Sequence, residues 1–386
     1  MGFLPYARQE ISDGDVAAVV TALRAALITQ GPTVDRFEKA VAEFAGADYA
    51  VAFNSCTAAL HAAYAAAGVG PGVAVLTSPN TFVATANAAL YLGGSVRFTD
   101  VDPETGLMDA DDVDDHAEAS VRVVAPVHFG GEVAPMESIA AVAEARQWKV
   151  VEDAAHAIGA TYHTSDGRDH RVGACAHSDM CCFSFHPAKQ LTTGEGGAVT
   201  TNDPALYARL KRFRTHGITR DAAEMTRNDG PWYYEQLELG YNYRLTDFQC
   251  ALGLSQLERL PVWLEARARI AGWYDARVAA MPGVSHLVRP RWSRGAHHLY
   301  VIRVDPTRRR AVYDALLAAG IGANVHYIPV YRQPYYQQHG FARTNRPGAE
   351  AYYASAITLP LFPAMTESDV ERVTTVVAHS LEGHGR

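Results

Sequence analysis

The chain has 386 residues, enough for about two or three folding units. Hydrophobic residues make up 48% and charged residues 20%, which excludes a disordered tail, a collagen-like rod and a small disulfide scaffold. The 34 basic and 42 acidic residues leave a formal charge of −8, so nucleic acid is not the expected partner, because phosphate backbones demand a basic footprint.

Ser12 and Asp15 read as a capping box for a first helix. Val16, Val19, Val20, Leu23 and Leu27 then share one helical face. Phe37, Ala40, Val41 and Phe44 repeat that period up to Gly46, a helix stop. From Tyr49 the texture alternates. Strands are predicted over 49–53, 73–76, 95–98, 121–127 and 149–152, with helices over 57–67, 82–92 and 136–145 between them. This is the pattern of an α/β layer with a mostly parallel sheet. Strands over 180–185 and 197–201 and a helix over 204–213 continue it. Residues 215–243, rich in Gly, Asn and aromatics, read as a long functional loop. Helices over 245–260 and 263–278 lead through a Pro/Arg-rich crossover at 281–294 into a smaller unit. That unit has strands at 299–304 and near 323–327 and helices over 309–319 and 367–381.

The five cysteines include no C-x-x-C pair, so the reading is reduced thiols in a cytoplasm and no metal site. No secretory h-region opens the chain, and no run of about 18 apolar residues predicts a membrane span. The phosphate loop, dinucleotide fingerprint, zincin motif and nucleophile elbow are all missing from the sequence.

Three strand ends carry the chemistry. Asn54-Ser55-Cys56-Thr57 opens a helix, where hydroxyls and free N–H groups suit a phosphate, although Ser55 would also serve as a plain cap. Glu152-Asp153-Ala154-Ala155-His156 follows a buried apolar pair. An acid there needs a cationic partner, either an arginine or a protonated ring nitrogen of a ligand. Ser184-Phe185-His186-Pro187-Ala188-Lys189 ends a third strand before the glycine-rich Gly194–Gly197 turn. Only about one free lysine in 2,500 is neutral at pH 7, so a nucleophilic Lys189 would need burial to lower its pKa. A phosphate cradle, an acid for a pyridine nitrogen and a Schiff-base lysine are together what pyridoxal phosphate requires.

Long runs add to this: Leu27–Pro32, Thr81–Asn87, Phe183–Lys189, Thr192–Gly197, Gly230–Glu235 and Leu239–Arg244. On them the chain resembles the nucleotide-sugar aminotransferases of the DegT/DnrJ/StrS group over nearly its whole length, nearest to members of the pseudaminic acid pathway. The resemblance implies an aspartate aminotransferase-like α/β fold (fold type I of pyridoxal phosphate enzymes). Residues 1–255 would form the large cofactor domain and 256–386 a small C-terminal α/β domain.

It also implies roles. Lys189 would carry the cofactor and move protons, and Asp153 would pair with the ring nitrogen. Phe82 would stack on the ring, and His156 would lie near its hydroxyl. Ser55, Cys56, Thr57 and Ser184 would surround the phosphate. Asn242 would reach the phosphate of a neighbouring subunit, making a homodimer the working unit. Tyr6, Leu27, Ile28, Thr29, Gln30, His186, Asn324, Val325, His326 and Tyr327 would meet the sugar nucleotide. The family usually has Gly where this chain has Cys56. The implied reaction moves nitrogen from L-glutamate, through pyridoxamine phosphate, to carbon four of a UDP-linked 4-keto-6-deoxy amino sugar. A dTDP-linked or pentose substrate, a non-catalytic cofactor-binding regulator and a cofactor-free binding protein are the alternatives. His297 and His298 read as surface residues, and Cys181 and Cys182 as core residues on opposite faces of a strand.

Overall fold

A computed structural model describes residues 2–115 and 118–382. Its main sheet takes seven strands. They are β1 (Tyr49–Phe53), β2 (Ala74–Thr77), β3 (Ser95–Phe98), β4 (Val121–Ala125), β5 (Lys149–Asp153) and, after a hairpin of β6 (Thr161–His163) and β7 (Asp169–Arg171), β8 (Met180–Ser184) and β9 (Gly197–Thr201). Their order in space is β1-β9-β8-β5-β4-β2-β3. Only β9 runs against its neighbours β1 and β8; every other pairing is parallel. Alternate residues feed two apolar layers, as strand geometry demands. Ala50, Ala52, Val150, Cys181 and Phe183 join one layer, and Val51, Phe53, Val151, Met180 and Cys182 the other. Both faces are therefore covered, the usual state of a parallel sheet.

Because β1, β5 and β8 point the same way, their carboxyl ends share one edge of the sheet. The three polar segments singled out in the sequence meet there. Gly197 opens β9 at that edge, in register with both Phe53 and Ser184.

Helix α1 (Asp13–Leu23) has both bonds of the expected capping box, Asp15 N–H to Ser12 Oγ at 3.2 Å and Ser12 N–H to Asp15 Oδ2 at 2.8 Å. Its apolar stripe is not core, however. Val16 is 53% and Leu23 51% exposed. The helix instead turns Asp15 and Ala22 inward, where Gln256 and Arg259 hold the Asp15 carboxylate. Helix α2 (Pro32–Ala45) ends at Gly46 in the left-handed region, as read. Helices α3 (Cys56–Ala66), α4 (Val83–Tyr91), α6 (Met136–Arg146) and α7 (Pro204–Arg214) match their predicted segments, and a short α5 (Ala110–Asp115) was not foreseen.

The two helices expected over 245–278 are one, α8 (Asp247–Val278), with Pro261 inside it. A mid-helix proline costs about 3 kcal/mol. Leu260, Trp263, Ile270 and Tyr274 are all buried along the same helix, and each large apolar side chain contributes about 1.5–3 kcal/mol on burial. The packing outweighs the break. α8 begins against α1 and α2 and ends against the small unit.

In that unit β14 (Tyr300–Val304) lies between β12 (Val284–His286) and β15 (Ala356–Leu359), both antiparallel to it. Helix α9 (Arg309–Ala318) and the last helix, Glu367–Glu382, pack on this sheet. The strand expected near 323–327 does not form. That segment makes only a bridge between Asn324 and Thr358, then turns toward the edge where the polar segments meet. The 215–243 loop has a two-residue pairing, β10 (Ile218–Thr219) with β11 (Glu235–Gln236), and a single bridge between Thr215 and Asn242. A similar short strand, β13 (Ser293–Arg294), ties the crossover to β6.

Candidate active site

A cavity of about 620 Å³ opens at the shared strand edge, closed on its other side by Tyr6 and residues 324–328. Ser55 caps α3, its Oγ accepting from Ala58 N–H at 3.1 Å. The N–H groups of Cys56 and Thr57 have no partner among the described residues, so the helix N-terminus offers two donors to an anion. Cys56 is the first helical residue and needs no left-handed backbone, which is why a side chain is tolerated there. The glycine requirement falls on Gly197 instead. A Cβ on it would lie 2.7 Å from Cys56 N and 2.8 Å from Phe183 O.

Asp153 is 5% exposed and has no ion-pair partner among the described residues. Thr85 Oγ1 donates to its Oδ2 at 2.6 Å, and Ala155 N–H to its Oδ1 at 3.1 Å. Thr85 spends its proton on the carboxylate, so Thr81 Oγ1, 2.7 Å away, donates to Thr85. The adjacent Glu152 points to the opposite face, where it binds His128 Nε2 at 2.6 Å and the Ser178 hydroxyl. Of the two acids, only Asp153 is presented to the cavity.

Lys189 lines the same space. Burial pushes its amine down to about 8, against the opposing pull of Cys56 and Asp153. Burial and nearby Lys189 also hold His156 well below the usual imidazole range. His156 Nδ1 accepts from Gly130 N–H at 3.3 Å, so its proton sits on Nε2, 3.2 Å from the Tyr327 hydroxyl. His326 is fixed likewise. Its Nε2 accepts from Asn324 Nδ2 at 3.2 Å, which leaves Nδ1–H to donate to Thr358 Oγ1 at 2.8 Å. Burial pushes His326 down to about 3.

This arrangement has counterparts among known proteins. The family model described as the DegT/DnrJ/EryC1/StrS aminotransferase family matches residues 9–378. The chain belongs to that family. It is 38% identical to the spore coat polysaccharide biosynthesis protein SpsC of Bacillus subtilis over 99% of this chain and 98% of that one. It is 34% identical to the UDP-4-amino-4,6-dideoxy-N-acetyl-β-L-altrosamine transaminase of Campylobacter jejuni, over 98% of each. Among solved structures, the sugar aminotransferase Spr1654 of Streptococcus pneumoniae superposes with a TM-score of 0.91 at 29% identity, covering 98% of this chain and 99% of that one. Spr1654 has been solved in both a pyridoxal phosphate and a pyridoxamine phosphate form.

Within this family member, Tyr6, Ser55, Cys56, Thr57, Phe82, Asp153, His156, Ser184, His186, Lys189, Asn324, Val325, His326 and Tyr327 all line the one cavity. Phe82 stands at the N-cap position of α4 and is 59% exposed, free to lie on a flat ligand. Leu27, Ile28, Thr29, Gln30 and Asn242 stand outside this cavity, on the surface of the single chain. Sequence reasoning did not single out Thr81 and Thr85; their hydroxyls sit inside a quoted run but carry no motif of their own. It also misplaced His298, which is 6% exposed and lines the cavity. A His-His pair has no period from which a buried face could be read.

Proposed function

We propose that this chain is a pyridoxal phosphate-dependent transaminase acting on carbon four of a UDP-linked 4-keto-6-deoxy amino sugar of the pseudaminic acid type, with L-glutamate as amino donor. The observation that carries the reading is the pairing of Lys189 and Asp153 in one cavity, with the open N-terminus of α3 beside them. These residues fit the cofactor: two unpartnered N–H groups and the Ser184 hydroxyl for its phosphate, an unpaired buried carboxylate for its ring nitrogen, and a lysine amine. When bound, pyridoxal phosphate supplies the electron sink for the substrate carbanion.

The chain does the rest. Lys189, largely desolvated, takes a proton from the substrate carbon and returns one to the other substrate, as acid–base catalysis by one group with alternating protonation. The Thr81–Thr85 relay holds the Asp153 carboxylate in one orientation, ready to keep a proton on the ring nitrogen. His156 presents Nε2–H, with Tyr327 beside it. Kinetics would be ping-pong. The kinship with the altrosamine transaminase supports the UDP-sugar assignment.

The working unit in this reading is a homodimer in the cytoplasm. Leu23, Leu27, Ile28, Trp232, Leu239 and Tyr241 are all at least 40% exposed, an apolar surface a second copy would cover. The cysteines are unpaired, and no described helix is long and apolar enough to cross a membrane.

The test is an absorbance spectrum before and after L-glutamate, followed by a panel of UDP- and dTDP-linked keto sugars. A yellow band that bleaches with glutamate and returns with a UDP-4-keto-6-deoxy sugar is the expected result. No band after added pyridoxal phosphate would refute the catalytic reading. Return of the band only with another sugar nucleotide would favour a second reading, supported by the kinship to SpsC, in which the same chemistry serves a different sugar.

A further inference from the structure

His298 lines the cavity beside Lys189, His156 and His326, yet neither the sequence pattern nor the mechanism above uses it. Its ring centroid lies 4.4 Å from that of His156. Its backbone is fixed from two sides. The N–H donates to Gly130 O at 2.9 Å, and the carbonyl accepts from Arg267 Nη1 at 3.4 Å. Gly130 is also the residue whose N–H sets the His156 tautomer. The place of the imidazole is thus tightly defined by the two segments that frame the catalytic end of the cavity.

The ring has one unused polar atom. Nδ1 is sealed in protein and has no hydrogen-bond partner among the described residues. A phenyl ring would fill the same wall with no polar atom left over, so a buried unsatisfied nitrogen calls for an explanation. A bare buried lone pair is tolerated more readily than an N–H with no acceptor. The ring proton therefore belongs on Nε2, the nitrogen left to meet a ligand. Burial holds the ring neutral at pH 7, reinforced by Lys189, His156, Arg267 and His326 around it.

We propose that His298 is a substrate-binding residue whose Nε2–H donates to an oxygen of the keto sugar. A neutral N–H suits a hydroxyl or keto oxygen, whereas the carboxylates of the amino donor call for charged partners. The inference rests on the transaminase reading above.

Two variants test it: His298→Phe, which keeps a ring packed against His156, and His298→Gln, which keeps a donor. The two half-reactions are followed separately, bleaching by L-glutamate and colour return with the UDP-keto sugar. Calorimetry measures binding of that sugar nucleotide to cofactor-free protein. His298→Phe should leave the glutamate half within about two-fold, while its sugar affinity and the kcat/KM of the sugar half fall about ten-fold, the worth of one good hydrogen bond. His298→Gln should recover most of that loss. A Phe variant with an unchanged sugar half would overturn the proposal. So would Phe and Gln variants that slow both halves alike, since that marks wall support only. A wild-type protein that takes up cofactor but never bleaches with glutamate would instead overturn the transaminase reading, and this inference with it.

Discussion

Lys189 gives the sharpest quantitative test. Burial lowers its amine to about 8, so at pH 7 about one molecule in ten carries the neutral form. A free lysine would have about one in 2,500, so the fold raises the nucleophilic fraction about 200-fold. The sign follows from the charge. Desolvation disfavours the ammonium, so the neutral fraction climbs ten-fold per pH unit below 8 and levels off above it. Brief acetylation of the cofactor-free protein from pH 6 to 10, quantified at Lys189 by peptide mass spectrometry, reads that fraction directly. The exposed Lys39 is the internal standard. Asp153 pulls the Lys189 value up, so Asp153→Asn should move the inflection to lower pH. A rate that keeps rising ten-fold per unit through pH 9.5, or an Asp153→Asn shift to higher pH, would refute the argument that burial dominates this lysine.

Two further substitutions probe the frame around it. Thr85→Val removes a 2.6 Å hydrogen bond to a buried carboxylate without changing side-chain shape. Such a bond contributes about 1.5–3 kcal/mol, so pyridoxal phosphate affinity, measured by titration, should fall at least about ten-fold, and unchanged affinity would show that Asp153 needs no relay. Gly197→Ala places a methyl 2.7 Å from Cys56 N, where only backbone can give way. It should cost about 1–3 kcal/mol in urea unfolding and weaken inorganic phosphate as a competitor of cofactor uptake.

The sheet was legible in the sequence because its strands are buried on both faces and read as uninterrupted apolar runs, such as Tyr49–Phe53 and Met180–Ser184. The three chemical segments were legible because each follows such a run, and parallel strands bring their ends to one edge. What failed to show has physical causes. Pro261 looked like a helix break because the packing of Leu260 and Trp263 against other elements is invisible locally. The stripe of α1 looked like core because periodicity reports an apolar face, not what covers it. β6 and β7 have three residues each, too few for a period. His298 is buried by tertiary contacts with Gly130 and His156, far away in the chain.

The charge of the cavity argues for a second copy. Its lining includes Asp153 and Glu195 but, among the described residues, Lys189 as its only lysine or arginine. The ligands proposed for it are a phosphate ester, a nucleoside diphosphate and a dicarboxylate, all anions. Asn242 and the arginines Arg220, Arg227 and Arg244 lie on or just after the exposed 215–243 loop, outside their own cavity. If that loop completes the neighbour's site, Lys189→Ala on one subunit and Asn242→Ala on the other fall in the same site of a mixed dimer. One site then carries both defects and the other neither. Each variant alone would be inactive or nearly so. Random co-assembly makes about half the dimers mixed, and each mixed dimer has one intact site of two, so activity should return to about a quarter of wild type. If Asn242 served its own chain, every site would carry one defect and co-expression would restore nothing. The assay separates the two arrangements without a structure of the dimer.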